Sequence, residues 1–483
     1  MLIKDNHKYQ HLLTVLLMAL FFLLSFLFWW YEGDLDYKSN LEAYPYYPKP
    51  VGQLSNFTIA DFQGLADSGY HMYQFQKQDL KPPFSLPTVS LKGSPGAFFG
   101  PTGLYSVNKD DPERQTVSQK ILVELIDTKG KTVFTQSAKA SVSGVSTKRL
   151  PMKSLNLYFN QNISSDKVFE KNYSYPLYSL RLRNAGNDFL LAFMRDALVS
   201  KLTSNTHIIA LNYQPVAVLI NDEFWGVQYL RERVSEKTLL GKFPDLSREQ
   251  VILGEIIIQD VHDIGNGFEY KLEEVKRFIM EKDLNDPKIQ NELSHILNLD
   301  NFIDYIVFQT FISNTDWPHN NVKCAFLDDR LHFILYDTDI SLTYISEYFE
   351  HTNDFFSLPE RYHQVNEVTH PFLDSIDFYM PTHVGEMHGK LIQYKFYRQK
   401  YEQRYRELLQ TNLSQQSVEE NLKSIREEIA PLMPFHIDRW GYPSSPKDWM
   451  HHTEQILKFS ADRRTFILNT LINEEAHAKA FLH

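Results

Sequence analysis

The chain has one cysteine, Cys324, among its 483 residues. A single thiol cannot close a disulfide within the chain, and without a cysteine cluster no Cys-based zinc site can cross-link the fold. A fold of this length must therefore be held together by packing, and the 43% of hydrophobic residues suffice for a large core. Length and composition predict roughly two or three domains and exclude wholesale disorder.

The charge balance narrows the range of partners. Lys and Arg number 49 and Asp and Glu number 60, which gives a net charge of −11 at pH 7. A chain with this excess of negative charge repels phosphate backbones. We therefore expect no nucleic-acid partner.

An uncharged apolar segment at residues 12–30 is long enough to span a bilayer. As a helix it would measure about 28 Å at ~1.5 Å per residue. Lys4 and Lys8 precede the segment and acidic residues follow it, so the positive-inside rule places residues 1–11 in the cytoplasm. A cleaved signal peptide, the alternative, would have a shorter apolar stretch that ends in small residues, whereas this one ends in two tryptophans. The sequence predicts a single-pass membrane protein whose main domain is extracytoplasmic.

The rest of the chain divides by composition into three parts. Residues 31–85 are rich in Tyr, Pro, Gln and Asp and lack periodicity, which predicts a stalk. Residues 86–143 contain short β-rich runs separated by SPG, PTG and DTKG turns, which are typical of an antiparallel β-rich module. Residues 144–483 mix strand and helix patterns, and helical periodicity dominates residues 385–475. The predicted fold class is α+β with a helical C-terminal region.

Two further segments in this part invite an assignment. An apolar stripe predicts a helix at residues 188–202 that packs in the core, with Arg195 and Asp196 off the stripe. The sequence HVGEMH at residues 383–388 lacks the H-E-x-x-H spacing of a metalloprotease helix, so we do not predict a zinc site there.

Four acceptor side chains stand out in NTDWPHNN (314–321) and YDTD (336–339). Asp316 and Asn321 follow a predicted helix, and Asp337 and Asp339 close a predicted strand, whose alternation turns both to one face. Carboxylate and amide oxygens are ligands for a divalent metal. In protein kinases such residues come from an Asp-x-x-x-x-Asn loop and from a downstream Asp at the end of a strand. The alternatives are chance spacing for the first pair and an ordinary strand end for the second.

Three charged residues upstream are candidates for a nucleotide site. Lys153 follows a Gly-bearing turn in GVSTKRLPMKS and is predicted to lie on a strand, a position suited to a phosphate-binding lysine. Arg183 and Glu232 lie next to apolar strands. The alternatives are a solvated surface lysine for the first and structural ion pairs for the other two.

These motifs, together with LRNAGNDFLLAFMRD, VLINDEFWGVQYLRER and LHFILYDTDIS, occur in an order that resembles the CotH kinase family over roughly residues 86–475. The resemblance implies a divergent protein-kinase-like fold behind the β-rich module, with ATP and Mg²⁺ or Mn²⁺ as cofactors. The roles it implies are a catalytic aspartate, Asp316; a phosphate lysine and its acidic partner, Lys153 and Glu232; and metal ligands, Asn321, Asp337 and Asp339. The chain departs from the family where Asp339 is followed by Ile-Ser-Leu instead of a glycine-containing run.

The expected function is transfer of the ATP γ-phosphoryl group to a Ser or Thr hydroxyl of a protein substrate by a membrane-anchored atypical kinase. ATP is scarce outside a cytoplasmic membrane, which leaves a second hypothesis open. The kinase-like fold would then serve as a catalytically silent surface scaffold that binds a partner. Binding of Mg·ATP distinguishes the two hypotheses.

Overall fold

The structure is a computed structural model that describes residues 46–48, 82–108, 116–169, 174–257, 260–262, 267–344 and 382–480. The predicted membrane span at 12–30 and most of the predicted stalk at 31–85 lie outside these residues. Within the described ranges, no helix is both long enough and apolar enough to cross a membrane. The architecture is α+β, as predicted, with a β-barrel and a helical C-terminal region.

Seven strands close into the barrel in the order β1-β2-β3-β4-β5-β7-β6. They are β1 (Thr88–Lys92), β2 (Ser118–Ile126), β3 (Thr132–Ser143), β4 (Ser154–Ser164), β5 (Pro176–Arg183), β6 (Tyr213–Ile220) and β7 (Glu223–Glu232). Neighbouring strands are antiparallel except at the closure, where β1 pairs with β6 in parallel. The barrel therefore takes strands from both sides of residue 143, where the sequence predicts the end of a β-rich module.

The sequence NDEF at 221–224, between the apolar runs PVAVLI and WGVQYL, predicts a hairpin turn, and the hairpin between β6 and β7 has this turn. Asn221 and Asp222 connect the strands with φ values of 53° and 67°. Two-residue hairpins favour residues in the left-handed conformation, because the turn then follows the twist of the strands, and after glycine Asn and Asp tolerate this conformation best.

A second, four-stranded sheet has the order β11-β10-β8-β9. Its strands are β8 (Val251–Ile257), β9 (Asp260–His262), β10 (Val322–Leu327) and β11 (Arg330–Ile334). The strand-like runs VKCAFLD and LHFILYD, on either side of the turn Asp328-Asp329-Arg330, predict a β pair. This pairing is confirmed, and Asp328 and Asp329 have φ values of 50° and 62°. This sheet positions the segment that carries Asp337 and Asp339, because that segment leaves the end of β11.

Eleven α-helices occur among the described residues. They are α1 (Pro95–Phe99), α2 (Arg195–Leu202), α3 (Glu236–Lys242), α4 (Phe268–Glu281), α5 (Pro287–Ile296), α6 (Leu299–Ile312), α7 (His383–Leu391), α8 (Lys395–Gln410), α9 (Gln415–Ile429), α10 (Met433–Trp440) and α11 (Pro446–Ala480). Helix α4 buries one stripe that includes Leu272, Val275 and Ile279, the spacing of an amphipathic helix. Helix α6 is buried on nearly all sides, which explains its almost continuous apolar sequence.

The barrel and the C-terminal helices share one hydrophobic core. Helix α10 packs on β7, where the Trp440 indole donates a hydrogen bond to the Trp225 carbonyl at 2.8 Å. In α11, the Trp449 indole donates to the Ala192 carbonyl at 2.9 Å. A continuous core fixes the elements around the chain between β5 and α2, and this stretch carries the candidate site.

The helix predicted at 188–202 is shorter than expected. Residues Gly186–Leu190 form a 3₁₀ turn, and the α-helix begins only at Arg195. The reason is the Asp188 carboxylate, which accepts hydrogen bonds from the backbone N–H groups of Ala192, Met194 and Arg195. Such side-chain acceptors compete with the helical hydrogen bonds of the backbone.

Candidate active site

The centre of the candidate site is a buried arginine, Arg183, at the end of β5. Its Nε donates to Asp196 Oδ2 at 2.5 Å, and one terminal nitrogen contacts both Asp337 Oδ1 and Asp339 Oδ2, the latter at 2.7 Å. Asp196 comes from the start of α2, and the other two aspartates follow β11. Arg183 thus joins carboxylates from distant parts of the chain, since Asp337 and Asp339 lie 154 and 156 residues after it in the sequence.

The turn between β5 and α2 shapes one wall of this cluster. Asn187 donates two hydrogen bonds to Asp339, from its backbone N–H at 2.9 Å and from its side-chain amide at 3.1 Å. Gly186 has φ of +64°, and a Cβ added there would lie 1.8 Å from Asp339 Oδ2. The glycine of LRNAGNDF is therefore needed for the close approach of the backbone to this carboxylate.

The segment with Asp337 and Asp339 differs from the sequence prediction. Strand β11 ends at Ile334, so neither aspartate lies on a strand, and Asp337 has φ of +55°. The segment is held instead by Asp196, which accepts hydrogen bonds from the Thr338 N–H at 2.7 Å and the Thr338 hydroxyl at 2.9 Å. The two aspartates still meet at one guanidinium, but because of this turn and not because of strand alternation.

Burial and charge act in opposite directions on the pKa values in the cluster. Burial raises the pKa of Asp339 well above its ordinary value, and the neighbouring Asp337 adds to this effect while Arg183 opposes it. Burial would also raise the pKa of Asp196, but the Arg183 and Arg231 guanidinium groups outweigh it and lower the pKa. Burial would lower the pKa of Arg183, but the three carboxylates outweigh this effect and raise its pKa well above the ordinary value.

The donor chemistry of this cluster fits a divalent cation. Oxygen atoms of Asp196, Asp337 and Asp339 all lie within 4.8 Å of one another. Hard cations such as Mg²⁺ and Mn²⁺ prefer carboxylate oxygens, and Mg²⁺ keeps some of its waters, which requires an opening to solvent. The Asp337 side chain supplies that opening, since it is 24% exposed. Asp337 and Asp339 are two of the predicted metal ligands, and Asp196 is an addition.

The loop that carries Asp316 and Asn321 follows α6, as predicted. Asp316 Oδ2 accepts hydrogen bonds from the side-chain amides of Asn321 at 2.7 Å and Asn320 at 3.0 Å. The Thr315 N–H donates to the Ile340 carbonyl at 3.2 Å, so this loop lies directly against the segment that follows Asp339. Asn321 uses its amide nitrogen for Asp316, which keeps its amide oxygen for another partner.

Lys153 is almost fully buried, with 7% of its surface exposed, and lies immediately before β4. Its Nζ donates to the Lys148 carbonyl at 2.6 Å, and no carboxylate among the described residues lies within ion-pair distance of it. Burial lowers the pKa of Lys153 to about 8. Both neighbours of Lys153 in sequence contact Asn184, the residue after Arg183, which places this lysine on the barrel side of the same region.

Glu232 has other partners than the resemblance implies. Its carboxylate pairs with Lys242 Nζ at 2.8 Å, accepts a hydrogen bond from the Asn212 N–H at 2.8 Å, and contacts the Tyr175 hydroxyl. Glu232 is completely buried in this network. The structure therefore associates Glu232 with α3, whereas Arg183, Asp337 and Asp339 come together.

Sequence reasoning missed Asp196 and Asn187. The signal for Asp196 was an Arg-Asp pair within the apolar run FLLAFMRDALV, because charges buried in such a run require partners. Arg195 pairs with Asp188, and Asp196 pairs with Arg183. Asn187 carried no comparable signal, since its role depends on the fold of the turn.

Fold and site define an α+β protein with a carboxylate cluster, fit for a divalent cation, where a β-barrel meets a second sheet and a helical region. The family model described as CotH kinase protein matches residues 140–467, well over half of the chain. The chain therefore belongs to the CotH kinase family, as the sequence motifs indicated. This membership suggests a kinase-like phosphotransferase. A search of curated proteins found no match to the chain.

Proposed function

We propose that this protein is a membrane-anchored atypical kinase with a divergent kinase-like fold that transfers the γ-phosphoryl group of ATP to a Ser or Thr hydroxyl of a protein. The observation that carries the proposal is the contact between two segments. The loop of Asp316 and Asn321 lies against the segment of Asp337 and Asp339 through the Thr315 to Ile340 hydrogen bond. Phosphoryl transfer requires a carboxylate at the attacking hydroxyl next to a metal-binding carboxylate.

Each residue has a defined role in the proposed reaction. Asp337 and Asp339, with Asn321, would hold Mg²⁺ or Mn²⁺, which when bound neutralises charge on the nucleotide phosphates. Lys153 would bind phosphate oxygens, and the absence of a carboxylate partner among the described residues supports this role. Asp316 would orient the substrate hydroxyl and accept its proton, with its own carboxylate held by two asparagine amides.

The silent-scaffold alternative has one structural observation in its favour. Arg183 already pairs with Asp196, Asp337 and Asp339, so the cluster is assembled by the chain itself. A scaffold predicts neither nucleotide binding nor metal binding. The buried, carboxylate-free Lys153 favours the enzyme, because a scaffold gains nothing from burying that charge.

The test is phosphorylation with labelled ATP in Mg²⁺ or Mn²⁺, with candidate protein acceptors, for wild type and Asp316→Asn. We expect the variant to bind Mg·ATP as the wild type does and to lose transfer by at least about 10²-fold, the usual contribution of a general base. Asp329→Asn is the matched control, an aspartate in the exposed β10–β11 turn whose positive φ asparagine tolerates. Equal activity of wild type and Asp316→Asn, or no ATP binding by the wild type, contradicts the proposal.

The proposed location rests on the sequence of the first 36 residues. With residues 1–11 in the cytoplasm and 12–30 across the membrane, the kinase-like domain would face the extracytoplasmic side. A protease added to intact cells or spheroplasts should then degrade the C-terminal region. Full protection of that region, with cleavage of the N-terminus instead, would reverse the orientation.

A further inference from the structure

The feature that points beyond the proposed function is the position of Arg183. Its guanidinium does not flank the carboxylate cluster but lies among all three aspartates. One terminal nitrogen contacts both Asp337 and Asp339, and Nε contacts Asp196. The chain therefore supplies its own cation to the cluster.

The hydrogen bonds already made by the carboxylate oxygens show which groups a metal ion would compete with. Each carboxylate oxygen offers about two lone pairs. Asp196 Oδ1 accepts from the Thr338 N–H and hydroxyl, so both of its lone pairs are used. Asp196 Oδ2 accepts from Arg183 and lies 3.9 Å from an Arg231 nitrogen. Asp339 Oδ2 accepts from Arg183 and from the Asn187 N–H.

An ion bound by all three carboxylates therefore shares them with the Arg183 guanidinium, and two positive charges held this close together repel each other. Among the described residues, Asp339 Oδ1 accepts a hydrogen bond from the Asn187 amide alone, and Asp337 Oδ1 contacts Arg183. The other hydrogen bonds come from the backbone N–H groups and side chains of Asn187 and Thr338, which hold the aspartates in place. Within the part of the chain that the structure describes, Arg183 is the only cation in contact with all three carboxylates.

We propose that Arg183 is a resident counter-ion that a divalent metal displaces from Asp337 and Asp339, so that metal binding is an exchange of cations. The inference rests on the proposed metal centre. Without bound metal, Arg183 keeps the three clustered carboxylates together and offsets their mutual repulsion. When the metal binds, Arg183 retains Asp196 and gives up the other two. The exchange lowers the apparent metal affinity and makes the metal-free site stable.

The experiment measures Mn²⁺ affinity of the full-length protein by calorimetry, without nucleotide, for wild type and two variants. Arg183→Lys keeps the positive charge but cannot bridge the three carboxylates, and Arg183→Met removes the charge as well. We expect both variants to bind Mn²⁺ at least about tenfold more tightly than wild type, since the ion no longer breaks charge-assisted hydrogen bonds. Without metal, both variants should melt at a lower temperature, and Mn²⁺ should raise their melting temperature more than that of the wild type.

The control is Arg231→Lys. Arg231 is equally buried and lies 3.9 Å from Asp196, but it donates to the Tyr213 hydroxyl instead of bridging the aspartates. Its substitution should leave the Mn²⁺ affinity at the wild-type value.

The outcomes separate the inference from the proposed function. If Arg183→Lys binds Mn²⁺ as tightly as wild type and only Arg183→Met binds more tightly, the effect is one of net charge, and displacement is wrong. Weaker binding by Arg183→Lys also overturns it, because Arg183 would then be a support for the metal ligands. If the wild type and all variants bind no Mn²⁺, with or without ATP, the metal centre of the proposed function falls together with the inference. Where Arg183→Met does not fold, the comparison of Arg183→Lys with Arg231→Lys decides.

Discussion

The buried ammonium group of Lys153 should cost stability, and the cost can be worked out from its pKa. Burial lowers this pKa from the ordinary lysine value of 10.5 to about 8. At about 1.4 kcal/mol per pKa unit, keeping the charged form in the folded protein costs roughly 3 kcal/mol. Lys153→Met removes the charge and keeps a long flexible side chain. It also removes the hydrogen bond to the Lys148 carbonyl, which contributes about 1 kcal/mol.

The net expectation at pH 7 is that Lys153→Met unfolds with a free energy about 2 kcal/mol higher than wild type. The difference should depend on pH in a defined direction. Below pH 8 the lysine is charged in both states and the full cost applies. Between pH 8 and 10.5 the folded protein loses the proton while the unfolded chain keeps it, so wild-type stability rises relative to the variant. The gap between the two proteins should therefore close over this interval.

Urea unfolding of both proteins at several pH values from 6 to about 10 measures this difference, since effects common to both cancel. Lys120→Met, a change at an exposed lysine on β2, is the matched control and should stay within about 0.5 kcal/mol of wild type. The stabilised Lys153→Met protein should at the same time lose ATP affinity. If this variant is no more stable than wild type at pH 7, or if the gap does not change with pH, the argument from burial is refuted.

Three further predictions follow from the candidate site. Gly186→Ala should abolish Mn²⁺ binding in calorimetry because its Cβ would clash with Asp339. Gly267→Ala is the control: its φ is +81° and nothing described lies within 4 Å, so it should have only the backbone strain of a positive φ and bind Mn²⁺ normally. Asp339→Asn should abolish transfer of labelled phosphate yet melt within a few degrees of wild type, since a buried carboxylate with a raised pKa contributes little to stability as an anion. Unfolding of this variant would show that Asp339 is a structural residue. Asp188→Asn should lower the unfolding free energy by about 3 kcal/mol in urea titrations, because it leaves the buried Arg195 without its anion; a change below about 1 kcal/mol would contradict this.

Local patterns in the sequence predicted the elements of the fold well. The turns at Asn221 and Asp328 follow from side chains that tolerate positive φ, and such signals need only a few adjacent residues. The C-terminal helices follow from apolar periodicity of the same local kind. Closure of the barrel by β1 and β6 depends on a parallel pairing between distant segments, and no local pattern encodes it.

The candidate site was predictable to the extent that residue type alone determines chemistry. Asp337 and Asp339 were predicted as metal ligands because neighbouring carboxylates suggest metal binding. The structure brings them to one guanidinium, although not through strand alternation, the reason given for their proximity. Asp196 was missed because the prediction placed it off the apolar stripe, whereas it is buried. The helix begins later than predicted because Asp188 accepts hydrogen bonds from backbone N–H groups that would otherwise begin it. The partner of Glu232 depends on the tertiary position of α3, which the sequence does not show.

The incompletely paired charges of Lys153 and of the carboxylate cluster favour a ligand that carries both a negative and a positive charge. Lys153 is buried without a carboxylate partner among the described residues, so an anion would relieve its cost. Three carboxylates share the cation Arg183, with Arg231 near only one of them, so a further cation would relieve their repulsion. A structural ion-pair network would gain stability by matching these charges within the chain, because unpaired buried charges are expensive. A nucleotide phosphate bound to a divalent metal supplies the anion and the cation together, and this complementarity favours the kinase over the scaffold.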